Sequence, residues 1–183
     1  METLDLGSEA VEYIGWKAQK EIWEVDGESC QIKKLLIDPT TIKQGQGKLA
    51  QGQAPIWIWD EAPGVRSETK EGFKRAFCIS VYLSEKYGAT KTGWRDWMTN
   101  QSASKNALSA IWKDIGPKIK DNKGKVAVIE INGSKPQAIG ENRVNVPILK
   151  MVGWTDRPVI NKPEPEPELK DDIPSFKEDS LQF

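Results

Sequence analysis

The sequence predicts a mainly β domain with one α-helix, followed by an acidic C-terminal tail. Short apolar segments alternate with polar residues at a period of two, which is typical of half-buried strands. Only the stretch at 102–115 has apolar residues at helical spacing, and after residue 157 proline and glutamate replace most aliphatic residues. A chain of 183 residues has room for one domain with extensions.

The first third of the chain contains short β segments separated by turn residues. Asp26-Gly27 and Asp38-Pro39 are turn signals, and the many glycines and glutamines of residues 44–53 indicate a mobile loop or a strongly bent strand. The predicted elements of this part are a loose N-terminus at 1–10, β structure at 13–25, and strands at 33–37 and 56–59.

Residues 73–83 form the most regular predicted strand. Its odd positions are mostly apolar, and its even positions are mostly polar or small. Arg75 interrupts the apolar face near one end, where we expect it to reach solvent. A second alternating segment at 94–100 places Arg95 and Trp97 on one face and Trp94 on the other.

The predicted helix begins with Ser102 or Ser104 as N-cap and ends before Gly116-Pro117. A strand at 125–131 then turns at Asn132-Gly133, and a long final strand occupies 143–154. Pro147 lacks a backbone N–H, so this last strand should be an edge strand or contain a bulge at that point.

The main order is therefore three strands, one helix and two strands, preceded by additional β structure. A single helix between the third and fourth strands of a five-stranded Greek-key barrel is the layout of the OB-fold. We expect an OB-like β-barrel domain at residues 11–157 and a disordered tail at 158–183. An open sandwich and a helix packed on an α+β sheet remain alternatives.

The composition excludes several kinds of site. The chain contains no histidine and two cysteines, Cys30 and Cys78, which argues against imidazole-based catalysis, a disulfide framework and a zinc site. We expect neither a metal nor a cofactor, and no enzymatic activity. No apolar run approaches the length of a membrane span and no signal peptide is recognisable, so we expect a cytoplasmic protein with no membrane partner.

Charge and aromatic content point to nucleic acid. Residues 161–183 contain three lysines and seven acidic residues, whereas the preceding 160 residues contain 23 basic and 20 acidic residues. Eight tryptophans are too many to bury easily in so small a core. Aromatic side chains interleaved with basic ones on strands are typical of proteins that stack bases and neutralise phosphates. The predicted single-stranded DNA contacts are Lys48, Trp57, Trp59, Lys74, Arg75, Phe77, Tyr82, Trp94, Arg95 and Trp97.

The alternative is that these aromatic residues fill a β core. It applies most strongly to Trp112, which lies on the apolar stripe of the predicted helix, and then to Phe77, which is aligned with Ile79. For Trp57, Trp59 and Trp97 the sequence leaves both interpretations open. It also leaves homo-oligomerisation open.

The tail has a more specific pattern. An acidic run leads into isolated apolar and aromatic residues, which is the form of a short docking peptide. The predicted docking residues are Asp171, Asp172, Ile173, Pro174, Phe176 and Phe183. The alternative is a purely solubilising tail.

Asp171-Asp172-Ile173-Pro174 resembles the C-terminus of bacterial and phage single-stranded DNA-binding proteins, which runs through aspartates into Ile-Pro and a final Phe. Ser175 interrupts that pattern and seven residues follow Phe176, so either Phe176 or Phe183 would be the anchor. The body, at about 43–158, also resembles uncharacterised phage proteins. The resemblance implies an OB barrel, single-stranded DNA as ligand, and a tail that recruits replication and recombination proteins.

Two other functions are compatible with the sequence. A phage structural or assembly protein would also be rich in β structure and carry a flexible tail. A metal-dependent nuclease needs only carboxylates and a lysine, but the lysine expected two residues after Glu130 is missing. The candidate carboxylates for a nuclease are Asp60, Glu61, Asp96, Asp114 and Glu130.

Overall fold

The computed structural model describes residues 12–159. This part of the chain is mainly β, with nine strands in one sheet curled into a half-barrel, and one α-helix. In chain order the elements are β1 (Tyr13–Lys17), β2 (Ile22–Val25), β3 (Glu28–Cys30), β4 (Lys34–Lys48), β5 (Ile56–Trp59), β6 (Lys74–Leu83), β7 (Gly93–Thr99), α1 (Ser102–Ile115), β8 (Lys125–Ile139) and β9 (Asn142–Asp156). The predicted loose N-terminus and nearly all of the predicted tail, with its six docking residues, lie outside the described residues.

The strands are ordered β3-β2-β1-β7-β6-β4-β8-β9, and β5 pairs with β4. Neighbouring strands are antiparallel except β1 and β7, which are parallel. The β1–β2 hairpin also reaches β9, because the Trp16 indole donates a hydrogen bond of 2.9 Å to the Asn145 carbonyl. α1 packs against β9, and its buried residues join those of the hairpin and of β4, β6 and β7 in one core on the concave side of the sheet.

β4 contains an irregularity that interrupts its pairing with β6. The predicted strand was expected to stop at Asp38-Pro39, but the structure continues it to Lys48 through a register shift between Asp38 and Lys43. The Asp38 carboxylate accepts hydrogen bonds from the Thr40 N–H and hydroxyl, and the Thr41 hydroxyl accepts one from the Ser80 N–H. These side chains replace the ladder bonds that Pro39 cannot make, so the strand bends instead of ending.

The predicted turn at Asn132-Gly133 was wrong. These residues interrupt the β8–β9 ladder between Ile131 and Ser134, where Gly133 adopts a φ of 72°, and the chain turns only at Gly140. A bulge and a hairpin turn both need a residue in the left-handed backbone conformation. The glycine of an Asn-Gly pair can supply it in either setting. The expectation for Pro147 is confirmed, because it lies opposite the bulge and β9 is at one end of the sheet.

The predicted helix is confirmed with one change at its start. α1 spans Ser102–Ile115, but its N-cap is Gln101, and the Thr99 hydroxyl accepts a hydrogen bond from the Gln101 N–H. Neither serine caps the helix. Ser104 is instead buried on the same side as the apolar residues that the helix presents to the sheet, which are Ala103, Ala107, Leu108, Ile111 and Ile115.

The core lies between the concave side of the sheet, α1 and the N-terminal hairpin. Three of the tryptophans, Trp16, Trp23 and Trp97, are buried there in contact with one another and with Phe77. Their ring centroids are 5.0–5.5 Å apart in tilted or edge-to-face arrangements, which favour aromatic packing.

Candidate nucleic-acid interface

The two faces of the sheet separate the predicted site residues. Residues directly opposite each other in a ladder point to the same side of a sheet, so the pairings assign each side chain to a face. We call the convex side the outer face and the concave side, which packs on the core, the inner face. The outer face includes Tyr13, Lys43, Trp57, Trp59, Lys74, Cys78, Tyr82, Trp94, Asp96 and Met98.

Four predicted contact residues lie on the inner face. Phe77 and Trp97 are completely buried in the core, so the core interpretation holds for both. Arg75 and Arg95 are also buried, with side chains 6% and 3% exposed. A side chain this covered cannot reach a ligand at the surface, and these four residues are not part of an interface in this structure.

Arg75 is used inside the protein. Its two terminal nitrogens donate to both carboxylate oxygens of Asp60, at 3.0 and 2.5 Å. The expectation that Arg75 reaches solvent was wrong, because Asp60 and the loop after it fold over the end of the strand. Asp60 also accepts hydrogen bonds from the N–H and hydroxyl of Ser67, which closes that loop.

Arg95 is similarly occupied. It contacts the carboxylates of Glu12 at 2.8 Å and Asp26 at 3.2 Å, and donates to the carbonyl of Trp94. These contacts tie β7 to the N-terminal hairpin. The sequence placed Arg95 opposite Trp94 correctly, but the β1–β2 hairpin covers the side that it faces.

Lys48 is exposed but lies on the other side of the sheet from the tryptophans of β5. Lys48 pairs with Ile56, and this pair is next to the Gly47–Trp57 pair in the ladder. Because successive residues of a strand point to opposite sides, Lys48 points away from Trp57, and its side chain lies beside Gly72. Buried Gln46 has the same orientation and fastens the same loop, since its amide bonds to Ser67, the Glu68 carbonyl and the Lys70 N–H. Lys48 therefore lies next to an anchored loop rather than on the outer face.

Trp57 and Trp59 form an aromatic surface at one end of the outer face. Their rings are nearly parallel, at 7°, with centroids 5.8 Å apart, and both side chains are half-buried. They pair across strands with Gly47 and Gly45, and a Cβ on either glycine would overlap the opposing tryptophan. Each ring can lie against the sheet only because its partner has no side chain.

Lys74 extends this end of the outer face, because it pairs with Gly47 on the other side of β4 from Trp57. The positive charge of Lys74 acts on Lys105 of α1, and Lys105 donates a hydrogen bond to the Arg75 carbonyl. Burial, with the charges of Lys74 and Arg75, lowers the pKa of Lys105. Lys74, Arg75 and Lys105 therefore lie close enough together for their positive charges to interact.

A second aromatic group lies at the other end of the outer face. Tyr82 and Trp94 are cross-strand partners with rings edge to face at 5.4 Å. The guanidinium of Arg157 lies over the Trp94 ring, 4.7 Å from its centroid, and forms an ion pair with the buried Asp38. This end thus combines stacking surfaces with a cation that is half exposed.

Besides Cys78 and Asp96, the outer face carries four residues that were not among the predicted contacts: Tyr13, Lys43, Met98 and Arg157. Tyr13 is 42% exposed and joins the face only through the parallel pairing of β1 with β7. Lys43 joins it because the bulge in β4 resets the register, so that Lys43 lies opposite Cys78. The alternation within β7 could have identified Met98, but no local signal indicates the other three.

The thiol of Cys78 lies at the middle of the outer face. Burial, with the nearby negative charge of Asp96, raises the pKa of its thiol to about 11, and Lys43 acts in the opposite direction. The centre of the face is therefore only partly accessible to water. Both of its charged neighbours belong to the same face.

The carboxylates suggested for a nuclease are not brought together. Asp60 is committed to Arg75, and Glu130 contacts Lys34 at 4.0 Å. Across residues 12–159 no group of three or more potential metal ligands is present. In the same part of the chain, no helix has the length and apolar character needed to cross a bilayer.

Comparisons of the chain with protein-family models, with curated proteins and with solved structures found no match.

Proposed function

We propose that this protein binds single-stranded DNA on the outer face of its half-barrel. The observation that carries the proposal is the pair formed by Trp57 and Trp59, whose parallel rings lie against glycines at the surface of the sheet. Each base stacked on an aromatic ring contributes about 1–3 kcal/mol, whatever its identity. A surface of this kind suits a strand bound without strong sequence preference.

The strand order supports an OB-type barrel as the framework. Without the N-terminal hairpin and β5, the remaining strands are ordered β7-β6-β4-β8-β9, and α1 connects the third of them in sequence to the fourth. In OB-folds, ligands bind on the second and third strands and on the loops beside them. Here these strands are β6 and β7, and the loop after the first barrel strand contains Trp57 and Trp59.

In this mechanism the outer aromatic residues stack bases, and exposed cations beside them neutralise phosphates. Lys43 and Lys74 take the role that the sequence suggested for Arg75 and Arg95, because both lysines are exposed on the face that carries Trp57 and Trp59. Tyr82 and Trp94 form a second place for stacking. Two stacking groups joined by a partly polar surface suit a short extended strand.

We further propose that the acidic tail competes with DNA for this face and recruits replication or recombination proteins, as in a phage-type single-stranded DNA-binding protein. The tail pattern itself supports this, with Phe176 or Phe183 as the anchor. The course of the chain is consistent with it: Arg157 stacks on Trp94, and Val159, two residues later, is the last described residue. The described part of the chain therefore ends two residues beyond the cation of the second aromatic group.

The proposal is tested by titrating a labelled oligo-dT with the full chain and following fluorescence anisotropy. Replacing both Trp57 and Trp59 with alanine should weaken binding about 30-fold or more, since at least about 2 kcal/mol of stacking is lost. The matched control is Trp112→Phe on α1, which keeps an aromatic ring in a half-buried position away from this face. Equal affinity of the double variant and the control would contradict the proposal.

The same titration separates the two competing functions. A structural or assembly protein would leave the anisotropy of oligo-dT unchanged at any salt concentration. A nuclease would shorten the oligonucleotide when Mg²⁺ or Mn²⁺ is added. Binding in both the presence and absence of metal, with the strand intact, is the result expected here.

A further inference from the structure

A lysine-rich segment lies next to the outer face. Residues 113–125 contain five lysines and two aspartates, and all seven of these side chains are exposed. We call this stretch the lysine segment. None of its residues was among the contacts predicted from the sequence.

The lysine segment has a defined conformation. It runs from the last turn of α1 through two 3-10 turns, Gly116–Lys118 and Lys120–Asn122, into β8. The Asn122 side chain donates a 2.9 Å hydrogen bond to the Lys118 carbonyl, and Gly124 supplies the left-handed backbone, with a φ of 75°, that leads into the strand. Its lysines are therefore presented from a folded support.

Several of these lysines are not neutralised by neighbours. Within residues 12–159, the structure pairs no carboxylate with Lys113, Lys118, Lys123 or Lys125. Favourable interaction with the C-terminal end of the helix dipole accounts for Lys113 and, at most, Lys118, because that interaction fades within about one turn. It does not account for Lys123 and Lys125.

The position of the lysine segment connects it to the outer face. The Gly124 carbonyl accepts a hydrogen bond of 3.3 Å from the N–H of Arg157, the residue that stacks on Trp94. Lys125 lies opposite Asp156 at the adjoining end of the β8–β9 ladder. The segment therefore begins where the second aromatic group of the outer face ends.

We propose that the lysine segment is a second phosphate-binding patch, engaged by single strands too long for the aromatic part of the outer face. The inference rests on the proposed function. The outer face from Lys74 to Tyr82 covers eight residue steps of β6, or about 26 Å at about 3.3 Å per residue. A strand that turns at Trp94 and crosses the sheet towards β9 meets Arg157 and then the lysines.

The test compares the salt dependence of binding for oligo-dT of about 6 and about 20 nucleotides, lengths within and beyond the range of about 4–16 nucleotides bound per barrel. The variant is Lys118→Gln with Lys123→Gln in the full chain. The matched control is Lys20→Gln with Lys135→Gln, which removes the same charge from two exposed lysines away from the outer face, one in the β1–β2 turn and one opposite the core residue Val146.

For the long strand, the variant should lower the slope of log K against log salt by about 1.4, because each phosphate contact to a single strand contributes about 0.7. For the short strand, the variant should have the same slope as the wild type. The control should have the wild-type slope for both strand lengths. An unchanged slope with the long strand, while the wild type still binds, would overturn this inference and leave the proposed function standing.

An equal change for both lengths would also overturn the inference, and would indicate that the lysines act through another part of the chain, such as the acidic tail. Failure of the wild type to bind either strand would instead overturn the proposed function, and the inference with it. Circular dichroism of each variant establishes that the fold is retained.

Discussion

On β6 and β7 the inner and outer faces are built from alternating residues, yet they have different chemistry. The inner face combines fully buried aromatic residues with two arginines held in ion pairs. The outer face has half-buried aromatic residues, and its lysines Lys43 and Lys74 are exposed. Sequence neighbours such as Trp94 and Arg95 therefore have different roles, and an aromatic–basic pair along a strand is not by itself a binding motif.

The strongest test of this comparison uses two tryptophans of one strand. Trp97→Ala should lower the free energy of unfolding by about 3–5 kcal/mol, because it opens a cavity in the core. Trp94→Ala should lower it by only about 1–2 kcal/mol, the worth of an aromatic contact and a cation–π contact. Urea unfolding followed by far-UV circular dichroism measures both, and equal losses would contradict the assignment of faces.

The buried ion pair between Arg75 and Asp60 on the inner face should contribute nearly as much to stability. Asp60→Asn should cost about 3–5 kcal/mol, because it leaves the Arg75 charge buried without its partner. The neighbouring exposed residue provides the control, and Glu61→Gln should leave stability unchanged. Similar unfolding midpoints for the two variants would mean that Arg75 finds another partner or reaches water.

The same pair predicts a pH dependence. Burial acts to raise the pKa of Asp60, but the hydrogen bonds from Arg75 and Ser67 and the charge of Arg75 hold it below its ordinary value of 3.8. A carboxyl whose pKa is lower in the folded state stabilises the protein above its unfolded pKa, and this contribution is lost as the pH falls through the folded pKa. The wild type should therefore lose stability below about pH 4, and Asp60→Asn should lose less.

A smaller effect is expected at the glycines beneath the tryptophans. Gly47→Ala should displace the Trp57 ring and weaken oligo-dT binding about tenfold, within the range expected for one stacked base. Gly153→Ala is the matched control, since a Cβ there meets nothing within 4 Å. If anisotropy titrations give both variants the same affinity, the position of the Trp57 ring does not matter for binding.

The smallest effect concerns the centre of the outer face. With a pKa of about 11, the Cys78 thiol should react slowly with maleimide near neutral pH, and its rate should rise with pH. Bound oligo-dT should slow the reaction further, because Cys78 lies between the two aromatic groups. Cys78→Ser should abolish the labelling, since Cys30 is buried and its thiol donates to the Gly88 carbonyl. A rate unaffected by oligo-dT would place the ligand elsewhere.

Local patterns predicted much of the fold. The alternation at 73–83 assigned Phe77, Ile79 and Tyr82 to the correct sides of the strand, because a period of two is a property of the extended chain itself. Gly116-Pro117 ends the helix as expected. Turn signals were less reliable: Asp38-Pro39 and Asn132-Gly133 both mark bulges, because the backbone conformations that they favour serve either purpose.

The sequence predicted Trp57, Trp59, Lys74, Tyr82 and Trp94 among the DNA contacts, and these five residues share the outer face. It could not tell them from Arg75, Phe77, Arg95 and Trp97. That distinction depends on which side of the sheet the helix, the N-terminal hairpin and the loop after Asp60 cover. Each of these segments is distant in sequence from the strands that it covers, so no local sequence pattern predicts which side of the sheet is buried.

The sequence by itself therefore determined the helix, the positions of most strands though not the full lengths of β4 and β8, and the two-residue alternation that divides aromatic and basic residues into two sets. It did so because these features depend on backbone geometry and on residues close together in the chain. Only the tertiary structure decided which set is buried, which cations remain exposed, and that Tyr13, Lys43 and Arg157 join the outer face. Those outcomes depend on long-range pairing: the parallel contact of β1 with β7, the reset register of β4, and the ion pair between Asp38 and Arg157.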